Sequence, residues 1–180
     1  MSEVLSEVSK PRQSPLSAPS PPHWRWMWQH PARVIAFGGG SGLSRQAPGT
    51  MGTLAIWPVF VLLQSVFNPL SPLIWGLILC VGFGLGVWAC VRTGRELGVA
   101  DHSGMVWDEM IAFSLVLLLL PQNLIWQALG FGLFRFFDIV KPPPIDYFDR
   151  VLKGGFGVMW DDIVAAFYAL LVAALLVRLW

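Results

Sequence analysis

Apolar residues along this chain gather in five stretches, residues 54–67, 73–91, 110–120, 124–137 and 163–179, and the polar and charged residues fall between them. A bilayer core of about 30 Å takes about 20 helical residues. Stretches 73–91 and 163–179 are therefore predicted to span, and the other three to form shorter membrane-embedded helices. Pro121, Gln122 and Asn123 separate the third stretch from the fourth. They read either as a kink in one long span or as the tight turn of a helical hairpin.

Charge chooses between these readings. With a hairpin, the connections at residues 68–72 and 121–123 share one side and carry no charge. The other side then receives Arg33, Arg45, Arg92, Arg95, Asp101, Asp108, Glu109, Arg135, Asp138, Lys141 and the ionic residues from Asp146 to Asp162. The positive-inside rule makes that side cytoplasmic. The expected fold is all-α, an integral membrane bundle of four to five embedded helices with the N-terminus inside, the C-terminus outside and Arg178 snorkelling at the far interface. Its cost is two helices of about 11 to 16 residues, about 17 to 24 Å, which must be extended by flanking residues or sit in thinned bilayer.

Composition agrees with a membrane protein: 55% of residues are hydrophobic, 13% are charged and the mean hydropathy is +0.60, whereas soluble domains are about a quarter charged. The 180 residues leave room for one integral domain. A net charge of +1 without a dense basic run gives no support for a nucleic-acid partner. Ten tryptophans suit the interface belts of a bilayer. Cys80 and Cys90 lie in an apolar stretch and read as small buried side chains. Residues 1 to about 22 are rich in Ser and Pro and expected to be disordered, without the apolar core of a signal peptide. The domain division is thus a tail at 1–32, ending in the Trp24, Trp26 and Trp28 cluster, and a membrane domain at 33–180.

The candidate chemistry lies between the apolar stretches. KGGFGVMWDD at residues 153–162 runs into the last of them, and its glycines read as a tight turn before a helix that opens on Asp161 and Asp162. Acids at a helix N-terminus are favoured by the macrodipole, so a capped helix is the plain alternative. Asp108 and Glu109 repeat the arrangement before the third stretch, and Asp138 ends the fourth. On the hairpin topology these five carboxylates meet at one rim, where they repel unless a cation joins them or they spread apart. Magnesium suits oxygen ligands shared with water and phosphate. His23, His30 and His102 are too scattered for a zinc site and read as loop residues. Arg135, three residues before Asp138, reads as an ion-pair partner or a phosphate clamp, with Lys141 and Lys153 as further clamps. Residues 37–53 hold six glycines, two serines and two threonines, a loop able to offer backbone N–H groups to an anion or simply to turn. A carrier or an assembly subunit would be rival uses for such a bundle. Its helix interiors lack the mid-membrane ionisable groups of a carrier, and a scaffold gives no reason for five acids at one rim.

GSGLS at 40–44, APGTMGT at 47–53, DHSGMVWDE at 101–109, LFRFFDIVKPPPI at 133–145, FDR at 148–150 and GGFGVMWDD at 154–162, taken in order and spacing, resemble the membrane-bound phosphatidylglycerophosphatase A family. Arg45 and Pro143 depart from its usual pattern, which commonly has Pro and often Trp there. The resemblance implies magnesium-dependent removal of the terminal phosphate from phosphatidylglycerol phosphate, in phosphatidylglycerol and cardiolipin biosynthesis, at the cytoplasmic face of the inner membrane. It implies metal-ligand and catalytic roles for Asp108, Glu109, Asp138, Asp161 and Asp162. Phosphate contacts would come from Ser41, Gly42, Ser44, Gly49, Thr50, Arg135, Lys141 and Lys153. Attack by an activated water and a covalent aspartyl-phosphate both fit these residues. Gly82, Gly84 and Gly86 are expected to allow close helix approach, within the bundle or between copies in a homo-oligomer.

Overall fold

Helices account for every regular element in the computed structural model, which describes residues 22–67, 71–143, 145, 147, 151–152 and 154–179. The tail at 1–21 and Lys153 lie outside the described residues. The first long helix, α3, runs Pro48–Val66 over 19 residues and so begins six positions before the apolar stretch that announced it. Pro48 occupies its first turn, where a missing N–H costs nothing. The small residues Gly49, Thr50, Gly52 and Thr53 continue the helix although they carry little hydropathy. With α4 (Pro72–Leu97) and α7 (Gly155–Leu179), three helices are long and apolar enough to cross a membrane. Between them lie α5 (Trp107–Leu119, 13 residues) and α6 (Leu124–Val140, 17 residues).

Helices α5 and α6 form the hairpin rather than one kinked span. The Asn123 side chain accepts a hydrogen bond from the Trp126 amide at 3.0 Å and restarts the chain as a new helix after Pro121. Gly130 of α6 faces Val116 and Leu120 of α5, and Phe113 stacks on Phe134 with ring centroids 5.9 Å apart. Asp138 is thereby returned to the end of the bundle where Glu109 begins α5. Helix α7 packs against α4, α5 and α6 and is the hub of the bundle. Of the three glycines expected to allow close packing, Gly82 faces Ile111 and Gly86 faces Met159 and Trp107, whereas Gly84 faces open space.

One expectation is overturned. Asp161 and Asp162 do not open α7, because the helix begins at Gly155 and reaches them only after more than a turn. Gly155 lies so close to the Val87 carbonyl and to Val91 that a side chain would collide with α4. That close helix contact offsets the poor helix propensity of the glycines that read as a turn.

The segment before α3 folds onto the same end of the bundle. A single turn α1 (Trp24–Met27), α2 (Pro31–Ala36) and a 3₁₀ turn (Gly38–Leu43) bury Met27, Ala32, Ala36 and Phe37 against Ala89, Cys90 and Met105. Arg33 fastens this segment: it lies 4.4 Å over the Trp26 ring, donates to the Trp26 carbonyl at 2.7 Å and pairs with Glu96 of α4 at 2.7 Å. His30 accepts the Ala32 amide at the start of α2, and His102 accepts the Gly104 amide and lies against Phe37.

Candidate active site

Asp108 and Glu109 occupy the first turn of α5, where the N-terminal end of the helix favours negative charge. The Asp108 carboxylate accepts the Glu109 amide at 3.0 Å. Asp162 reaches them from α7, and one carboxylate oxygen from each of the three residues lies within 4.8 Å of the others. Asp108 and Asp162 are 7% and 4% exposed, so their mutual repulsion is poorly screened. Glu109 Oε2 and Asp162 Oδ2 are buried and have no hydrogen-bond partner among the described residues. Orphaned buried acceptors are costly. A set of hard oxygen donors with unfilled lone pairs is what a divalent cation requires, so these residues fit a metal ion.

Two further acids flank the three, each held by a cation. Asp138 pairs with Arg135 one turn earlier on α6, as its spacing indicated, and Arg135 also stands 3.6 Å from Glu109 Oε1. Asp161 is buried and forms an ion pair with Lys141. Lys141 caps α6 with a left-handed backbone, φ 44°, unusual for a side-chain-bearing residue. This pair therefore ties the end of α6 to α7 beside Asp162.

The glycine-rich segment divides into two roles. Gly49, in the first turn of α3, lies against the Glu109 carboxylate, and a Cβ there would also come 3.1 Å from Arg135 Nη2. Only glycine admits this approach. It brings the N-terminus of a 19-residue helix, with no side-chain cap and with Gly49 and Thr50 in its first turn, to the carboxylates. The amides of a first turn have no partner inside their helix and suit an anion. Ser41, Gly42 and Ser44 shape the preceding turn. The Ser41 hydroxyl donates to the Gly38 carbonyl at 3.0 Å, the Ser44 hydroxyl donates to the Gln46 carbonyl at 2.8 Å, and Gly42 packs on the Gly104 carbonyl.

One residue that positions the acids is absent from the sequence-based set. The Trp107 indole, immediately before Asp108, donates to the Gly82 carbonyl at 2.9 Å and pins the start of α5 to α4. Its only sequence signal is a tryptophan beside an acidic pair, in a chain where tryptophan is frequent.

The phosphatidylglycerophosphatase A family model matches residues 34–177, from α2 into the last turn of α7. The chain is 46% identical over 145 residues to a phosphatidylglycerophosphatase A of Haemophilus influenzae, covering 79% of this chain and 86% of that protein. It is 44% identical over 142 residues to the protein of that name from Escherichia coli K12, covering 78% and 80%. No solved structure matches it. With a family match over four-fifths of its length and relatives this similar, the chain belongs to the phosphatidylglycerophosphatase A family.

Proposed function

We propose that this membrane protein hydrolyses the terminal phosphomonoester of phosphatidylglycerol phosphate, releasing phosphatidylglycerol and inorganic phosphate, with Mg²⁺ as its ion and its acidic rim on the cytoplasmic face of the inner membrane. The observation that carries the reading is the convergence of Asp108, Glu109 and Asp162 within 4.8 Å in a chain of this family. A phosphomonoester lipid presents its charge at the interface while its chains remain among the helices, which matches acids at one end of an apolar bundle.

When bound by Asp108, Glu109 and Asp162, Mg²⁺ would supply charge neutralisation for the phosphoryl oxygens and lower the pKa of a water. The chain's own residues would do the rest. The first-turn amides of α3 at Gly49 and Thr50 would donate to the phosphoryl oxygens, preorganised because they belong to a helix. Arg135, between Glu109 and Asp138, would hold both carboxylates in register and lend positive charge to the site. Water oxygen would form the new bond to phosphorus as the bond to the glycerol oxygen breaks; one carboxylate would take the water proton and return it to the departing oxygen. The Lys141–Asp161 pair would maintain the α6–α7 geometry. The test is phosphate release from phosphatidylglycerol phosphate by purified protein in detergent, with Mg²⁺ and with chelator. Release that needs Mg²⁺ and is lost in folded Asp162→Asn is expected; a folded wild type that releases none refutes the reading.

A further inference from the structure

The five carboxylates at the rim are held in two different ways. Asp108, Glu109 and Asp162 converge, with one oxygen of each within 4.8 Å of the others. Asp138 and Asp161 stay outside that group, each engaged by a cation of the chain itself. Asp138 Oδ2 lies 2.5 Å from Arg135 Nη1, and Asp161 pairs with Lys141. Consecutive residues of a helix do not face the same way, so Asp161 and Asp162 serve different neighbours although they adjoin in sequence.

Glu109 joins the two sets. Its Oε1 stands 3.6 Å from Arg135 Nη1 and is the atom that Gly49 lets approach α3. Its Oε2, like Asp162 Oδ2, is buried and has no hydrogen-bond partner among the described residues. One carboxylate thus turns one oxygen to a cation that the chain supplies and keeps the other for a cation that it does not. In two-metal phosphatases a pair of ions about 3.5–4 Å apart clamps the transferring group. Here a guanidinium nitrogen stands between Glu109 and Asp138, where the second ion of such a pair would bridge them. Arg135 suits that place: its side chain is 13% exposed, and its charge is permanent. A second divalent ion would have to displace it from both carboxylates and leave it buried and unpaired, a costly state. Arg135 Nε is buried too, without a hydrogen-bond partner among the described residues, so one donor remains for an oxygen that these residues do not supply.

We propose that the site holds a single divalent ion, ligated by Asp108, Glu109 and Asp162, and that Arg135 takes the place of a second ion, bridging Glu109 and Asp138 and offering Nε to a phosphoryl oxygen. Asp138 and Asp161 are then positioning residues, and only three of the five acids that the family resemblance implies are ligands. The inference deepens the phosphatase reading and rests on it for the phosphoryl oxygen alone.

The test needs no turnover. Mn²⁺, which takes the same oxygen donors as Mg²⁺, is titrated onto the purified full chain in detergent, counted by equilibrium dialysis and observed by electron paramagnetic resonance. The wild type is expected to bind one ion per chain, with the spectrum of an isolated ion. Arg135→Met, similar in length but uncharged, leaves Glu109 and Asp138 without their shared cation and is expected to take up a second ion that is magnetically coupled to the first. Asp162→Asn is expected to weaken binding at least about a hundredfold, as much as the loss of a residue that only supports a ligand can cost, and Asp138→Asn about tenfold or less. No ion or two ions on the wild type, a single ion on folded and saturated Arg135→Met, or equal weakening in Asp138→Asn and Asp162→Asn overturns the proposal. Should Arg135→Met not fold, the wild-type count and the contrast between Asp138→Asn and Asp162→Asn still decide it. One bound ion on a wild type that releases no phosphate would sink the phosphatase reading and leave the ion assignment standing.

Discussion

The two ends of the α5–α6 hairpin treat their polar groups in opposite ways. At the turn, Gln122 donates to the Leu117 and Leu120 carbonyls, Asn123 caps α6, and Gln127, 7% exposed, accepts the Trp57 indole at 2.8 Å. These neutral side chains satisfy one another or the backbone, as a membrane interior demands. At the rim, three carboxylates crowd together and two of their buried oxygens have no hydrogen-bond partner among the described residues. The first pattern serves stability; the second sacrifices stability and makes sense only if something else completes it.

Substitutions at the two ends should therefore separate activity from stability. Asp162→Asn is expected to lower phosphate release by about 10³-fold, while the denaturant midpoint in detergent stays level or rises because like charges no longer face each other. A large loss of stability would mean that Asp162 is a structural residue. Gly49→Ala, which drives a methyl group into the Glu109 carboxylate, is expected to cost about 10²-fold in kcat by displacing that group; wild-type kcat in the folded variant would remove Gly49 from the site. At the turn the order reverses. Trp57→Phe leaves the Gln127 oxygen unpaired and should cost about 1 kcal/mol of stability with kcat unchanged. Asn123→Ala removes one cap and should cost at most about 1 kcal/mol, again with kcat unchanged. Denaturant titration and phosphate release on the same preparations read both quantities.

The sequence made the rim legible because charge placement is a long-range signal. The uncharged connections force a hairpin, and the hairpin brings Asp138 back to Glu109; Arg135 and Asp138 then pair through simple helical spacing. What was missed depends on contacts between backbones. The start of α7 at Gly155 is invisible to propensity, which reads three nearby glycines as a turn, because the compensating contact is with Val87 and Val91 of another helix. The early start of α3 is hidden in the same way by small residues whose value lies in letting Glu109 come close. The tie from Arg33 to Glu96 joins residues 63 positions apart and has no local pattern. Ser41 and Ser44, phosphate contacts only by what the resemblance implies, donate their hydroxyls within the turn itself.

The shortness of the hairpin sets the depth at which chemistry takes place. Thirteen residues of α5 span about 20 Å, against a hydrocarbon core of about 30 Å. If the turn at residues 121–123 rests at one interface, Asp108 lies well below the other, at a level that belongs to acyl carbonyls in an undisturbed leaflet. On that placement a phosphate would have to sink with the membrane surface toward the protein to reach the carboxylates. The helix lengths would then set the depth of the site, and the thickness of the surrounding bilayer would enter the barrier to turnover.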